Sequence, residues 1–121
     1  MAYTYDPENI FAKILRGEIP NQTVAETEHT LAFRDINPLA PFHVLLIPKG
    51  SYVTVDDFAA NASAEETADF WQTFAKIVAD EGLQADGYRV ISNAGMHGVQ
   101  EVPHFHLHIL AGKVLGPILP R

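Results

Sequence analysis

The chain has 121 residues, a formal charge of −7 and no cysteine. Its length describes a single domain with room for a core, and its lack of cysteine excludes disulfides, a thiolate nucleophile and a thiolate metal site. Eight Lys and Arg, scattered among fifteen Asp and Glu, argue against a nucleic-acid polymer as partner but leave room for a small nucleotide.

The opening residues, Met1 to Glu8, carry neither a basic nor an apolar segment. No apolar run nears the ~20 residues that cross a bilayer, so the reading predicts a cytoplasmic protein with no membrane partner. Asp6-Pro7 reads as a helix start, with Asp as cap and Pro at the first helical position. Ile10, Phe11, Ile14 and Leu15 then form one apolar stripe, which Gly17 stops. Thr23-Val24-Ala25 reads as a brief strand, Glu28-His29 as a turn, and Leu31 to Arg34 as a second strand.

Asp35-Ile36-Asn37-Pro38 and Ala40-Pro41 break the chain before a third strand, Phe42 to Ile47. Its alternation places His43, Leu45 and Ile47 on one face and Phe42, Val44 and Leu46 on the other. A strand apolar on both faces is central and covered on both sides. Ser63-Ala64-Glu65-Glu66 has capping-box form and opens a long helix that runs to Gly82. Its wide stripe, Thr67, Phe70, Trp71, Phe74, Ile77 and Val78, suits a core or a subunit interface. A strand from Tyr88 to Ser92 and a loop from Asn93 to Gly98 follow. The order is helix, three strands, long helix, two strands, an α+β pattern with a mainly antiparallel sheet.

The last strand carries the chemistry. In His104-Phe105-His106-Leu107-His108-Ile109-Leu110 the alternation puts three imidazoles on one face, about 6.5 Å apart, and Phe105, Leu107 and Ile109 on the other. Two sites can be built on such a row. One is a metal site with His43 or Glu101 as third ligand, against which the bulky residues between the histidines count. In the other, His106 attacks phosphorus as a neutral imidazole, and the loop Asn93 to Gln100, with Gly95 and Gly98, offers main-chain N–H groups to phosphate oxygens.

This heptad resembles the His-φ-His-φ-His-φ-φ motif of the histidine triad (HIT) family of nucleotide hydrolases and transferases. Residues 9–14, 16–20, 32–38 and 40–49, and Gly87-Tyr88-Arg89 with Asn93, resemble further blocks of that family, in an order and spacing similar to its Hint branch. The resemblance implies one HIT domain over residues 1–121: a five-stranded antiparallel sheet, one long and one short helix, and a homodimer paired through the long helix and the strand at Tyr88. It implies hydrolysis of purine nucleoside 5′-phosphoramidates with an AMP-like ligand and no metal or cofactor. Polyphosphate-cleaving and binding-only members of the superfamily are the alternatives.

The same resemblance makes His106 the nucleophile that forms a nucleotidyl-histidine, supported by His104, His108 and His43. It assigns Asp35 to the ribose hydroxyls and Ile10, Phe11, Phe33, Ile36 and Leu45 to the walls around the base. Asn93 and Gln100, with Gly98 in the loop between them, fall near the phosphate and leaving group. Three positions depart from the pattern. Glu101 stands where the branch often has a serine near the leaving nitrogen, Val99 replaces a loop glycine, and the tail from Val114 to Arg121 lacks a tryptophan.

Overall fold

The structure is a computed structural model that describes residues 3–120. Helix α1 (Ile10–Leu15) precedes strands β1 (Thr23–Glu26), β2 (Thr30–Arg34) and β3 (Phe42–Pro48). Helices α2 (Val55–Asn61) and α3 (Ala64–Asp80) follow, then strands β4 (Tyr88–Ile91) and β5 (Leu107–Ala111). The strands form one five-stranded antiparallel sheet in the order β1-β2-β3-β5-β4.

The position of β3 follows from its sequence. Apolar on both faces, it lies between β2 and β5 with both faces covered. Val44 and Leu46 pack with Phe58 of α2, Phe70 and Ile77 of α3, and Phe105, Leu107 and Ile109. Leu45 and Ile47 point the other way, toward Phe11 of α1, Leu31 and Phe33. Each such side chain, taken from water to full burial, stabilises the fold by about 1.5–3 kcal/mol. The sheet therefore has a thick helical layer on one side and a thin one on the other, and the histidines share the thin side with α1.

Three expectations are corrected. The first helix starts at Ile10, not at Asp6-Pro7, because Asp6 closes a turn instead. Its carboxylate accepts from the Glu8 N–H at 2.9 Å, and Asn9 becomes the cap, accepting from the Ala12 N–H at 2.9 Å. Second, α2 is a further short helix, so one long helix is joined by two short ones; Thr54 caps it by accepting from the Asp57 N–H at 3.2 Å. Third, the histidine strand begins only at Leu107. The Phe105 N–H donates to the Tyr52 carbonyl at 2.7 Å, and the His104 N–H to Val102 at 2.9 Å, so His104 and His106 lie outside the ladder. The capping box at Ser63 forms as read, with Ser63 and Glu66 bonding reciprocally. Gly17, at φ +79°, closes α1 in the left-handed region that glycine enters freely.

Candidate active site

The site is assembled where β3 and β5 run side by side. Leu45 faces His108 and His43 faces Leu110 across the ladder, which makes His43 and His108 diagonal neighbours on one sheet face. Their nitrogens, His43 Nε2 and His108 Nδ1, are 2.9 Å apart. The His106 ring lies 5.1 Å from that of His108 and 4.9 Å from Phe11, edge to face in both cases. Although His104 and His106 precede the strand, alternation across the sheet persists. Phe105 joins the core on the helical side, and the three histidines turn to the other.

Hydrogen-bond partners assign a tautomer to every ring, because a carbonyl only accepts and a backbone N–H only donates. His43 Nδ1 accepts from the Leu39 N–H at 3.1 Å, so its proton sits on Nε2. That Nε2–H donates to His108 Nδ1, with Asp35 Oδ2 at 3.4 Å as a weaker second neighbour, and leaves His108 with an Nε2–H. His106 Nδ1 lies 2.7 Å from the His104 carbonyl and must donate to it. Its Nε2 is therefore bare, a lone pair held ready. His104 Nε2 donates to the Pro48 carbonyl at 2.8 Å, and its Nδ1 accepts from the Tyr5 hydroxyl at 2.7 Å.

Burial keeps these rings neutral. It pushes His104 down to about 4, with the nearby His106 adding to the effect and the bond to Pro48 opposing it. Burial does the same to His108, also to about 4, helped by His106 and His43. It lowers His43 and His106 too; Asp35 opposes it at both, and the bond to the His104 carbonyl and the Glu101 carboxylate oppose it further at His106. At neutral pH the row is four uncharged imidazoles, and the charges acting on His106 are carboxylates.

The remaining expected residues divide. Phe11, Phe33 and Leu45 are buried in the cluster beneath the histidines, with Phe11 edge-on to both His104 and His106. Ile10 is partly exposed, and Ile36 stands 89 % exposed at the surface. Asp35 has one oxygen near His43, while the other accepts the Asn37 N–H at 2.8 Å and shapes the turn. Asn93 is half-buried just beyond β4. The Gln100 side chain is committed to the backbone: it accepts from the Gly95 N–H at 3.1 Å and donates to Val53 and Val102 carbonyls at 2.6 and 3.1 Å. It ties the loop down. Gly98 is required by space, since a Cβ there would meet the Ala94 carbonyl oxygen at 2.5 Å. Val99, at φ +56°, holds a left-handed conformation that a β-branched residue adopts only under strain. Glu101 is exposed.

Two contributors escaped the sequence reading. Ser92 donates its hydroxyl to the His106 carbonyl at 2.9 Å, and Tyr5 meets the buried His104 ring from far away in the chain. Neither belongs to a spaced pattern, so only the fold brings them in.

Among the described residues, the donor atoms of Asp35, His43 and His108 lie within 4.8 Å of one another, which is close enough to consider a metal. The tautomers argue against it. A neutral histidine that ligates through Nε2 carries its proton on Nδ1 and donates it to an acceptor. His43 Nδ1 instead faces the Leu39 N–H, a donor, so these residues do not fit a metal ion. A wide hollow of about 590 Å³ runs along α3 past Ala62, Ala68, Trp71 and Ala75, away from the histidines and without a titratable side chain.

Four neutral imidazoles with tautomers fixed by their hydrogen bonds thus meet beside the central strands, and one of them, His106, keeps a bare ring nitrogen. The chain matches the HIT domain over residues 16–115, and it belongs to the HIT family. It is 46% identical over 112 residues to the purine nucleoside phosphoramidase of Escherichia coli (strain K12), covering 93% of each chain. It is 53% identical over 121 residues to a 13.2 kDa HIT-like protein of Azospirillum brasilense, covering 100% of this chain and 99% of the relative. Among solved structures, a histidine triad protein from Clostridium difficile superposes with a TM-score of 0.81 at 39% identity, over 96% of this chain and 100% of the other. A HIT family hydrolase from Legionella pneumophila Philadelphia 1 does so with the same score at 42% identity, covering 90% and 96%.

Proposed function

We propose that this protein hydrolyses the phosphorus–nitrogen bond of purine nucleoside 5′-phosphoramidates. The observation that carries the reading is the His106 tautomer: an Nδ1–H held by the His104 carbonyl leaves a bare Nε2 beside His108. The lone pair on Nε2 attacks phosphorus, the P–N bond breaks, and the amine leaves with a proton taken from solvent. The His104 carbonyl stabilises the positive charge that develops on the ring, as an acceptor held at 2.7 Å does for an imidazolium. Water then attacks the nucleotidyl-histidine, releasing the nucleoside monophosphate and restoring the neutral ring.

His108, holding its Nε2–H, is the donor for a phosphoryl oxygen. His43 fixes that tautomer and is fixed in turn by Leu39. Asp35 takes the ribose hydroxyls, and Phe11 forms the apolar floor near the base. The 46% identity to a named purine nucleoside phosphoramidase supports amines rather than phosphate as leaving group. So does a site whose charges are carboxylates, which disfavour a polyphosphate chain. The functional unit is a homodimer joined through β4 and α3.

The deciding assay follows release of a fluorescent amine from its adenosine 5′-phosphoramidate, in EDTA, with wild type and His106→Ala. Wild type turns over, and the variant loses roughly three to four orders of magnitude in kcat/KM, the scale of a lost nucleophile. Equal slow rates for both proteins would refute the reading.

A further inference from the structure

A histidine ring sealed from water must place both nitrogens in hydrogen bonds, or one polar group stays buried and unpaired. The His104 side chain belongs to a residue with no exposed surface, so the rule applies to it fully. Pro48 satisfies Nε2, and the satisfying group at Nδ1 is the hydroxyl of Tyr5, 99 residues away in sequence. Tyr5 also packs edge-on to the ring, centroid to centroid at 5.6 Å, while Phe11 packs against it at 6.3 Å. The His104 N–H is bound to Val102. One group of the residue remains, its carbonyl, and that carbonyl is the acceptor for His106 Nδ1–H at 2.7 Å.

We propose that Tyr5 is a positioning residue for the nucleophile: by donating to His104 Nδ1 it holds the His104 peptide where its carbonyl keeps the proton of His106 on Nδ1 and leaves Nε2 free. Its kinetic consequence rests on the hydrolase reading above, whereas its structural consequence does not.

Without the hydroxyl, His104 Nδ1 is bare in a dry site. Moving the ring proton to Nδ1 does not help, because it leaves an N–H with no acceptor there and sets a bare Nε2 against the Pro48 carbonyl. The ring therefore recovers a partner only by turning. That movement shifts the His104 peptide and loosens its grip on His106. A neutral imidazole freed of that acceptor also populates the Nε2–H form, which has no lone pair at the attacking position. The rate then falls with the fraction of correctly protonated His106. The affinity for nucleotide, which depends on other groups, stays in place.

Tyr3 provides the comparison. It lies in the same segment and donates to Asp56 Oδ2 at 2.8 Å, at the start of α2, and among the described residues it makes no hydrogen bond or ring contact with the histidine row. A role that consists only of fastening the N-terminal segment is shared by both tyrosines. Positioning of His106 belongs to Tyr5 alone.

The test compares wild type, Tyr5→Phe and Tyr3→Phe in two measurements. One is steady-state hydrolysis of the fluorescent adenosine 5′-phosphoramidate; the other is nitrogen NMR of protein carrying ¹⁵N-histidine, in which the Nδ1 and Nε2 shifts of His106 report its tautomer. Tyr5→Phe keeps the ring packing. It is expected to lose about tenfold in kcat, what one buried hydrogen bond is worth in rate, with KM nearly unchanged. Its His106 signals move toward a mixture of tautomers, and Tyr3→Phe matches wild type in both readouts. Placing 4-aminophenylalanine at position 5 restores a donor at the same point and recovers the rate and the signals. Wild-type kcat in Tyr5→Phe, a lower kcat with His106 signals unmoved, or no recovery with the amino analogue overturns the proposal. If wild type itself releases no amine, the hydrolase reading fails; the His106 signals of Tyr5→Phe then decide the positioning role alone, a shift supporting it and none overturning it.

Discussion

An imidazole attacks phosphorus only while one nitrogen is unprotonated, so in the proposed mechanism the competence of His106 depends on pH as well as on geometry. Burial holds it below the ordinary histidine value of 6.5, against the pull of the His104 carbonyl and the carboxylates of Asp35 and Glu101. The protonated form has no lone pair to give. The expected profile of kcat/KM is therefore level above neutrality, with one acid limb whose midpoint lies below 6.5. Steady-state rates between pH 4.5 and 8 measure it, and a midpoint at or above 6.5 would contradict the neutral-nucleophile mechanism. At this scale much was legible in advance. Period-two spacing alone puts His104, His106 and His108 on one side and Phe105, Leu107 and Ile109 on the other. Their tautomers were not legible, because the deciding partners (the carbonyls of Pro48 and His104, the Leu39 N–H) are backbone groups that no side-chain pattern encodes.

Among elements, β4 and α3 carry the surface on which the proposed dimer rests. Strand β4 is an edge strand, paired with β5 on one side only. Such an edge exposes unpaired backbone groups and pairs readily with another strand. An aromatic row joins it to the helix, Trp71 to Phe74 at 5.8 Å and Phe74 to Tyr88 at 6.0 Å between centroids. Trp71, Tyr88 and Val90 are each about two-fifths exposed. An aliphatic side chain on an edge strand aids association, and a lysine there opposes it. Sedimentation is thus expected to give wild type the mass of two chains and Val90→Lys that of one, 13.3 kDa. A wild-type mass of one chain would refute the dimer.

For the molecule as a whole, the buried histidines link folding to pH. His104 and His108 bind protons at about 4 in the native state, while the unfolded chain takes them up near 6.5. Between those values the unfolded state holds more protons, so stability falls as the pH drops through that window and is fully present above it. For His104 alone the slope approaches about 1.4 kcal/mol per pH unit. Urea unfolding should therefore show a lower midpoint at pH 5 than at pH 7.5. Asp56, Glu66 and Asp69, held below the ordinary carboxylate range, lose their contribution only at still lower pH. An unchanged midpoint would mean that the histidines are protonated at no cost to the fold.

The sequence by itself determined the order of the main elements, the central place of β3, the capping box of α3 and the identity of the histidine row. Each is a matter of periodicity or of a short-range hydrogen bond, which neighbouring residues settle among themselves. Tertiary structure alone decided where β5 begins, because the Tyr52 carbonyl captures the Phe105 N–H and bends the chain out of the ladder. It also decided that Gln100 ties its loop to the Val53 carbonyl and that Tyr5 reaches His104. Those outcomes turn on which buried donor meets which buried acceptor, and such pairs form between residues far apart in the chain only once the sheet has been covered.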